Sequence, residues 1–129
     1  MAGGLPFGIR LEENLAKECY EEAGISKELA KKAKPTSIIS YWYEYSLGGK
    51  EDIIFCYDLE LSKDFKPICT DGEVEEFILM PIKEVAEIVK NKWRFKPNCN
   101  LVIIDFLVRW GYIKPEDKDY IDIVKGLRR

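Results

Sequence analysis

Histidine is absent from all 129 residues of the chain. That gap removes Ser-His-Asp triads, Cys-His dyads, H-E-x-x-H zinc sites and phosphohistidine chemistry, so any catalysis must use carboxylates, lysine, tyrosine, cysteine or a bound metal. No apolar run approaches the roughly 20 residues that span a bilayer. The opening "MAGGLP" has neither the basic region nor the apolar core of a signal peptide. No membrane partner is expected, and the expected location is cytoplasmic. A basic excess is also missing: a net charge of -3 provides no positive field for gripping nucleic acid. Cys19, Cys56, Cys69 and Cys99 form no C-x-x-C pair. Their scatter argues against a zinc site and for reduced thiols used as small core side chains.

What is present is a composition of 47% hydrophobic and 33% charged residues, that of one globular domain over residues 1–129 with a core of useful size. No internal repeat, low-complexity tract or linker divides it. The spacing predicts a helix over 11–23 with Gly24 just past its end. A short second helix follows, capped by Ser26 and limited by Pro35. "TSIISYWYEYSL" and "IIFCYDLEL" read as a hairpin about the turn "GGKED", and "FILM" as a short strand after the acidic loop "CTDGEVEE". Helices are predicted from Pro81 to about Lys90, over the apolar "NLVIIDFLVRWG", and over 116–127. The order points to an α/β fold, a mixed sheet covered by helices on both faces. Because the chain opens on a glycine loop that feeds its first helix, one or more N-terminal strands are expected to be missing upstream.

The first helix carries its negative charge in an unfavourable place. Glu18, Glu21 and Glu22 fall within about 100° of its circumference, beside the apolar face of Leu15, Cys19 and Ala23. Like charges at i,i+4 cost roughly 0.2–0.5 kcal/mol per pair. Acids in a last turn oppose the macrodipole by roughly 0.3–1 kcal/mol each. A hard divalent cation, Mg²⁺ or Mn²⁺, reverses that sign by binding clustered carboxylate oxygens. On the helix alone, a solvated acidic face accounts for the same residues. The glycine loop in front, with Gly3, Gly4, Pro6 and Gly8, has a backbone able to approach a ligand closely.

Together these segments resemble the Nudix box, G-x5-E-x7-R-E-U-x-E-E-x-G-U, with U bulky and apolar. Gly3 stands at the first glycine, and "KECYEEAGI" at the R-E-U-x-E-E-x-G-U run, where Glu18, Glu21, Glu22, Gly24 and Ile25 match. Ile9 replaces the first glutamate and Lys17 the arginine, which in the family helps to orient a catalytic carboxylate. Lysine keeps the charge but loses the planar fork. "AGGLPFGI", "DIIFCYDLEL", "TDGEVEEFILMPIKEV" and "FKPNCNLVIIDFLVRWGYI" extend the likeness over nearly the whole chain, toward the Nudix subfamily related to thiamine pyrophosphokinase.

The resemblance implies a Nudix-type α/β/α sandwich and a Mg²⁺- or Mn²⁺-dependent hydrolase. Its substrate would be a small-molecule diphosphate, with thiamine diphosphate or an analogue as the candidate, cleaved to the monophosphate and phosphate. It implies that Glu18, Glu21 and Glu22 hold the metal with the main-chain carbonyl of Ala2 or Gly3, and that one of them, or Glu73 of the acidic loop, takes the proton from water. Glu73 reads equally as part of a solvated turn. Tyr41, Trp42 and Tyr43 are candidates for stacking on a flat heterocycle, against the plainer reading of strand packing. Arg94 and Lys96 of "KWRFKPN" are candidates for phosphate, against a plain basic turn. The alternatives are a ligand-binding or regulatory domain without catalysis, or a thiamine pyrophosphokinase-related protein, though no G-x-x-x-x-G-K-[ST] loop is present. A homodimer stays open as the assembly.

Overall fold

The structure, a computed structural model, describes residues 3–45, 47–72, 74, 76–91, 95 and 97–129. It is a mixed α/β chain with, among the described residues, five helices and one two-stranded antiparallel sheet. The chain folds as two compact units, Met1–Pro35 with Tyr57–Leu79, and Thr36–Cys56 with Met80–Arg129.

The first unit is built on α1, Leu11–Ala23, and α2, Lys27–Ala30. Helix α1 has the predicted bounds, because its stop is local. Gly24 takes φ 67°, a left-handed conformation open to glycine at little cost, and its N–H reaches back to the carbonyls of Cys19 and Tyr20. A Cβ there would also come within 3.0 Å of the Ile68 carbonyl oxygen. Ser26 caps α2 as expected, its hydroxyl accepting the Leu29 N–H at 3.2 Å. Cys19, Ala23, Ile25 and Ala30 form the buried centre, with Leu15, Ala16, Leu29, Leu59 and Phe65 packed around it.

The second unit holds the hairpin and three helices. Strand β1, Lys34–Tyr45, pairs with β2, Gly48–Asp58. On its other side, Ser40 makes a parallel bridge to Arg128, so pairings of both senses meet on β1. Helices α3, Ile82–Asn91, and α4, Pro97–Arg109, pack together, and α5 covers Tyr120–Gly126. The core is Ile39, Cys56 and Leu127, supported by Tyr41, Ile54, Leu101, Val102 and Ile104.

Three elements depart from expectation. Pairing runs through Gly48 and Gly49, which the sequence suggested as turn; a Cβ on Gly49 would sit 3.3 Å from the Trp42 ring, so the glycine makes room for an indole lying across the ladder. "FILM" joins no strand: Phe77, Ile78 and Leu79 are exposed, and a β-prone run without a ladder partner stays irregular. Helix α5 starts at Tyr120 because residues 114–119 form turns, with the Asp117 carboxylate accepting the Lys114 N–H at 2.8 Å.

Beneath α4 lies a charged network. Asp105 is fully buried, and its carboxylate accepts from the Ser37 hydroxyl, from Arg109 Nε at 2.9 Å and from Arg128 Nη2 at 2.8 Å. Burial pushes this carboxyl up, but the bonds from Ser37, Arg109 and Arg128 together outweigh it and hold the group below the ordinary carboxylate range.

Candidate functional site

The first unit brings the glycine loop onto α1. Pro6 and Ile9 close a turn, with Ile9 N–H donating to the Pro6 carbonyl at 3.3 Å and Gly8 at φ 85°. Behind this turn the loop lies against the helix at two points. A Cβ on Gly3 would stand 2.3 Å from Glu18 Cδ and 2.7 Å from Glu18 Oε1, so any larger residue would require that carboxylate to shift. One residue on, the Gly4 carbonyl accepts the Asn14 side-chain amide at 2.9 Å. Asn14, Glu18 and Glu22 are spaced by four, so they form one row along the helix. The loop runs along that row, Gly4 at Asn14 and Gly3 at Glu18.

Glu18, Glu21 and Glu22 are each half-buried. Lys17 Nζ lies 3.9 Å from Glu21 Oε1, with both side chains reaching water. This is a long, screened contact worth only a few tenths of a kcal/mol. Cys19 lies buried beside the acids: burial pushes its thiol up, and the charges of Glu22 and Glu18 push the same way. It therefore remains a protonated core thiol. All four cysteines are free.

The C-terminal end of α1 is covered by the loop 68–72. Ile68 N–H donates to the Ala23 carbonyl at 3.0 Å and Thr70 N–H to that of Glu21 at 2.9 Å, with Asp71 N–H at 3.3 Å from the same oxygen. The Thr70 hydroxyl lies 3.1 Å from both the Tyr20 and the Glu21 carbonyls. Within the loop, the Cys69 thiol donates to Asp71 Oδ1 at 3.0 Å and accepts the Val74 N–H at 3.3 Å. Carbonyls left over by the helix geometry thus receive donors, which relieves the negative end of the dipole beside Glu21 and Glu22. Sequence reading saw an acidic loop here but missed this anchoring, which depends on main-chain amides and carries no side-chain signal beyond Thr70.

Asn14 was missed as well. It is 8% exposed, and its Oδ1 is buried without a hydrogen-bond partner among the described residues. An unpaired buried acceptor costs about 1–3 kcal/mol, whereas one hydrogen bond returns about 0.5–1.5 kcal/mol. An asparagine four residues before Glu18, on a row otherwise acidic, was the available signal.

The expected metal ligands are only partly assembled. Among the described residues no group of three or more acidic or cysteine side chains is gathered as a metal-holding set. Glu18 lies against Gly3, and Glu21 is turned toward Lys17. The donor chemistry nevertheless fits a hard divalent cation, since the acids share one helix side and Gly3 leaves the space at Glu18 that a Cβ would fill. Ala2, Glu73, Arg94 and Lys96 lie outside the described residues, as does the side chain of Tyr43. Of the aromatic candidates, Tyr41 packs on the core of the second unit and its hydroxyl donates to Asp52 Oδ2 at 3.1 Å. Trp42 points to the opposite side of β1, 64% exposed.

Comparison with known proteins gives kinship over the whole chain. It is 51% identical over 128 residues to the Arabidopsis thaliana protein named Nudix hydrolase 20, chloroplastic, covering 99% of this chain and 34% of that protein. Identity is also 51% over 128 residues to Nudix hydrolase 24, chloroplastic, of the same plant, covering 99% and 35%. An uncharacterized Saccharomyces cerevisiae protein is 37% identical over 142 residues, covering 100% of this chain and 41% of its own. The chain thus spans about a third of the length of the two plant proteins. No protein-family model matches. The similarity to the two Nudix hydrolases supports the Nudix superfamily for this chain.

Proposed function

We propose, with Nudix kinship as the premise, that this chain is a Mg²⁺- or Mn²⁺-dependent hydrolase that cleaves a small-molecule diphosphate to a monophosphate and phosphate. The observation that carries the reading is the close approach of Gly3 to the Glu18 carboxylate, where an added Cβ would displace the acid. Glu18, Glu21 and Glu22 would hold the ion with the main-chain carbonyl of Gly3 or Ala2. When bound, such an ion neutralises the diphosphate and lowers the pKa of a water. The chain's own part is positioning. The helix fixes the acids on one side, the glycine loop reaches Glu18, and residues 68–71 bond to the carbonyls at the same helix end. Glu73 or one of the trio would take the proton from water.

For the organic group, thiamine diphosphate or an analogue is the proposed substrate. A flat, cationic heterocycle suits an exposed indole such as Trp42, one side of which lies on Gly49, and Arg94 and Lys96 are the proposed phosphate contacts. The test is phosphate release from a panel of diphosphates with Mg²⁺, comparing wild type with Glu22→Gln. The substitution should lower kcat at least about a hundredfold. Equal rates in the two proteins would remove Glu22 from the mechanism.

A second reading is a domain that binds a diphosphate without cleaving it. It is favoured by Ile9 and Lys17 at two box positions and by carboxylates that, among the described residues, are not gathered into a set of three. Calorimetry followed by product analysis separates the two: a pure binder returns thiamine diphosphate intact after hours with Mg²⁺.

A further inference from the structure

We propose that Asn14 is the positioning residue of this site: its side-chain amide pins Gly4, and thereby sets where Gly3 meets the Glu18 carboxylate. The site it serves is the one read above as hydrolytic, whereas the tether itself is a property of the loop.

Three observations converge on it. Asn14 begins the row continued by Glu18 and Glu22, and its amide makes a hydrogen bond from helix to loop, to the Gly4 carbonyl at 2.9 Å. The arginine that in the box resemblance orients a carboxylate is here Lys17, whose ion pair among the described residues is to Glu21, at 3.9 Å. Asn14 supplies a short, uncharged link at the other end of the row. Finally, it is 8% exposed and leaves Oδ1 unpaired among the described residues. An apolar side chain of the same size would not carry that penalty, so stability does not account for an asparagine here. Placement of the loop does.

The experiment compares wild type, Asn14→Leu, Asn14→Asp and, as a matched control, Asn100→Leu. Asn100 is also buried, donates to the Phe95 carbonyl at 3.5 Å and leaves its own Oδ1 unpaired, but it belongs to the second unit. Amide hydrogen exchange over residues 4–9 reads the loop, thermal unfolding reads the fold, and Mn²⁺ titration followed by electron paramagnetic resonance reads the acids. Asn14→Leu should keep or raise Tm, lose at least about tenfold of loop protection and weaken Mn²⁺ binding about tenfold through misplacement of Glu18. Asn100→Leu should change neither loop protection nor Mn²⁺ binding. Asn14→Asp should lose protection at neutral pH, where its carboxylate faces the Gly4 carbonyl, and regain it on acidification, when the buried carboxyl is protonated and can donate. That pH response decides the matter even if the leucine variant does not fold.

Unchanged loop protection in Asn14→Leu overturns the proposal. So does an equal loosening in Asn100→Leu, or a loosened loop with wild-type Mn²⁺ affinity. If wild type itself binds no Mn²⁺, the hydrolase reading fails, and exchange alone then decides the tether.

Discussion

The two units spend buried polarity differently. In the second, Asp105 is enclosed and accepts, among the described residues, from three donors: Ser37 of β1, Arg109 of its own helix and Arg128 near the C-terminus. In the first, the buried polar side chain is Asn14, satisfied on one atom and unsatisfied on the other. A complete network fixes a fold, because each partner is lost if any moves. A half-satisfied amide does that poorly. What it achieves is local: it places a loop. Asp105 therefore shows how a satisfied polar group holds its unit together, and Asn14 how a half-satisfied one places a loop; Asn100 of the second unit shares the unpaired oxygen but ties no loop to the acidic helix.

The largest effect that would test this contrast belongs to Asp105. Replacing it by Asn leaves two guanidinium groups short of a charge, and should destabilise the protein by about 3 kcal/mol, at the lower end for a broken buried pair because Arg128 is partly exposed. Denaturant unfolding measures this. Loop exchange at residues 4–9 should not respond, and a change there would erase the distinction between the units. The same carboxylate has a pH signature. Its folded pKa lies below the unfolded one, so its contribution is present above the ordinary Asp range near pH 4 and disappears as pH falls below it. The Asn variant should lose this part of the acid sensitivity.

A smaller, opposite effect is expected at Gly3. Adding a Cβ by Gly3→Ala meets only the end of a flexible glutamate, which can swing aside. Tm should move by no more than about 2 °C, while diphosphate hydrolysis falls about tenfold as Glu18 is displaced. A large loss of stability would mean that the glycine serves the fold instead. The smallest effect is Ser26→Ala, which removes the cap of α2 and should cost about 1 kcal/mol in thermal or denaturant unfolding, with Mn²⁺ binding unaltered.

What could be read from the sequence follows the range of the forces involved. Helix α1 ends where expected because Gly24 and the periodicity before it are local, and the Ser26 cap is equally local. The two-residue period of β1 is local too, with Ile39 and Tyr41 inward and Ile38 and Trp42 outward. The hairpin glycines were misplaced because their role depends on an indole from the facing strand. Asp105 went unnoticed within an apolar helix because its three partners, Ser37, Arg109 and Arg128, are identifiable only once the chain is folded. Spacing placed Glu18, Glu21 and Glu22 on one side of α1, and the structure sets Gly3 against Glu18. Which carboxylate meets the loop, and through which tether, required coordinates.

The loop that covers the end of α1 has one more consequence. Residues 68–71 place main-chain and hydroxyl donors on carbonyls some 50 positions earlier, beside Glu21 and Glu22. They act as an electrostatic shade over the acids. Lifting that shade would leave those helix-end carbonyls without donors and make the surroundings of both carboxylates more negative. The acidic edge of this protein thus meets, beside Lys17, main-chain amides and one hydroxyl brought from a distant stretch of chain.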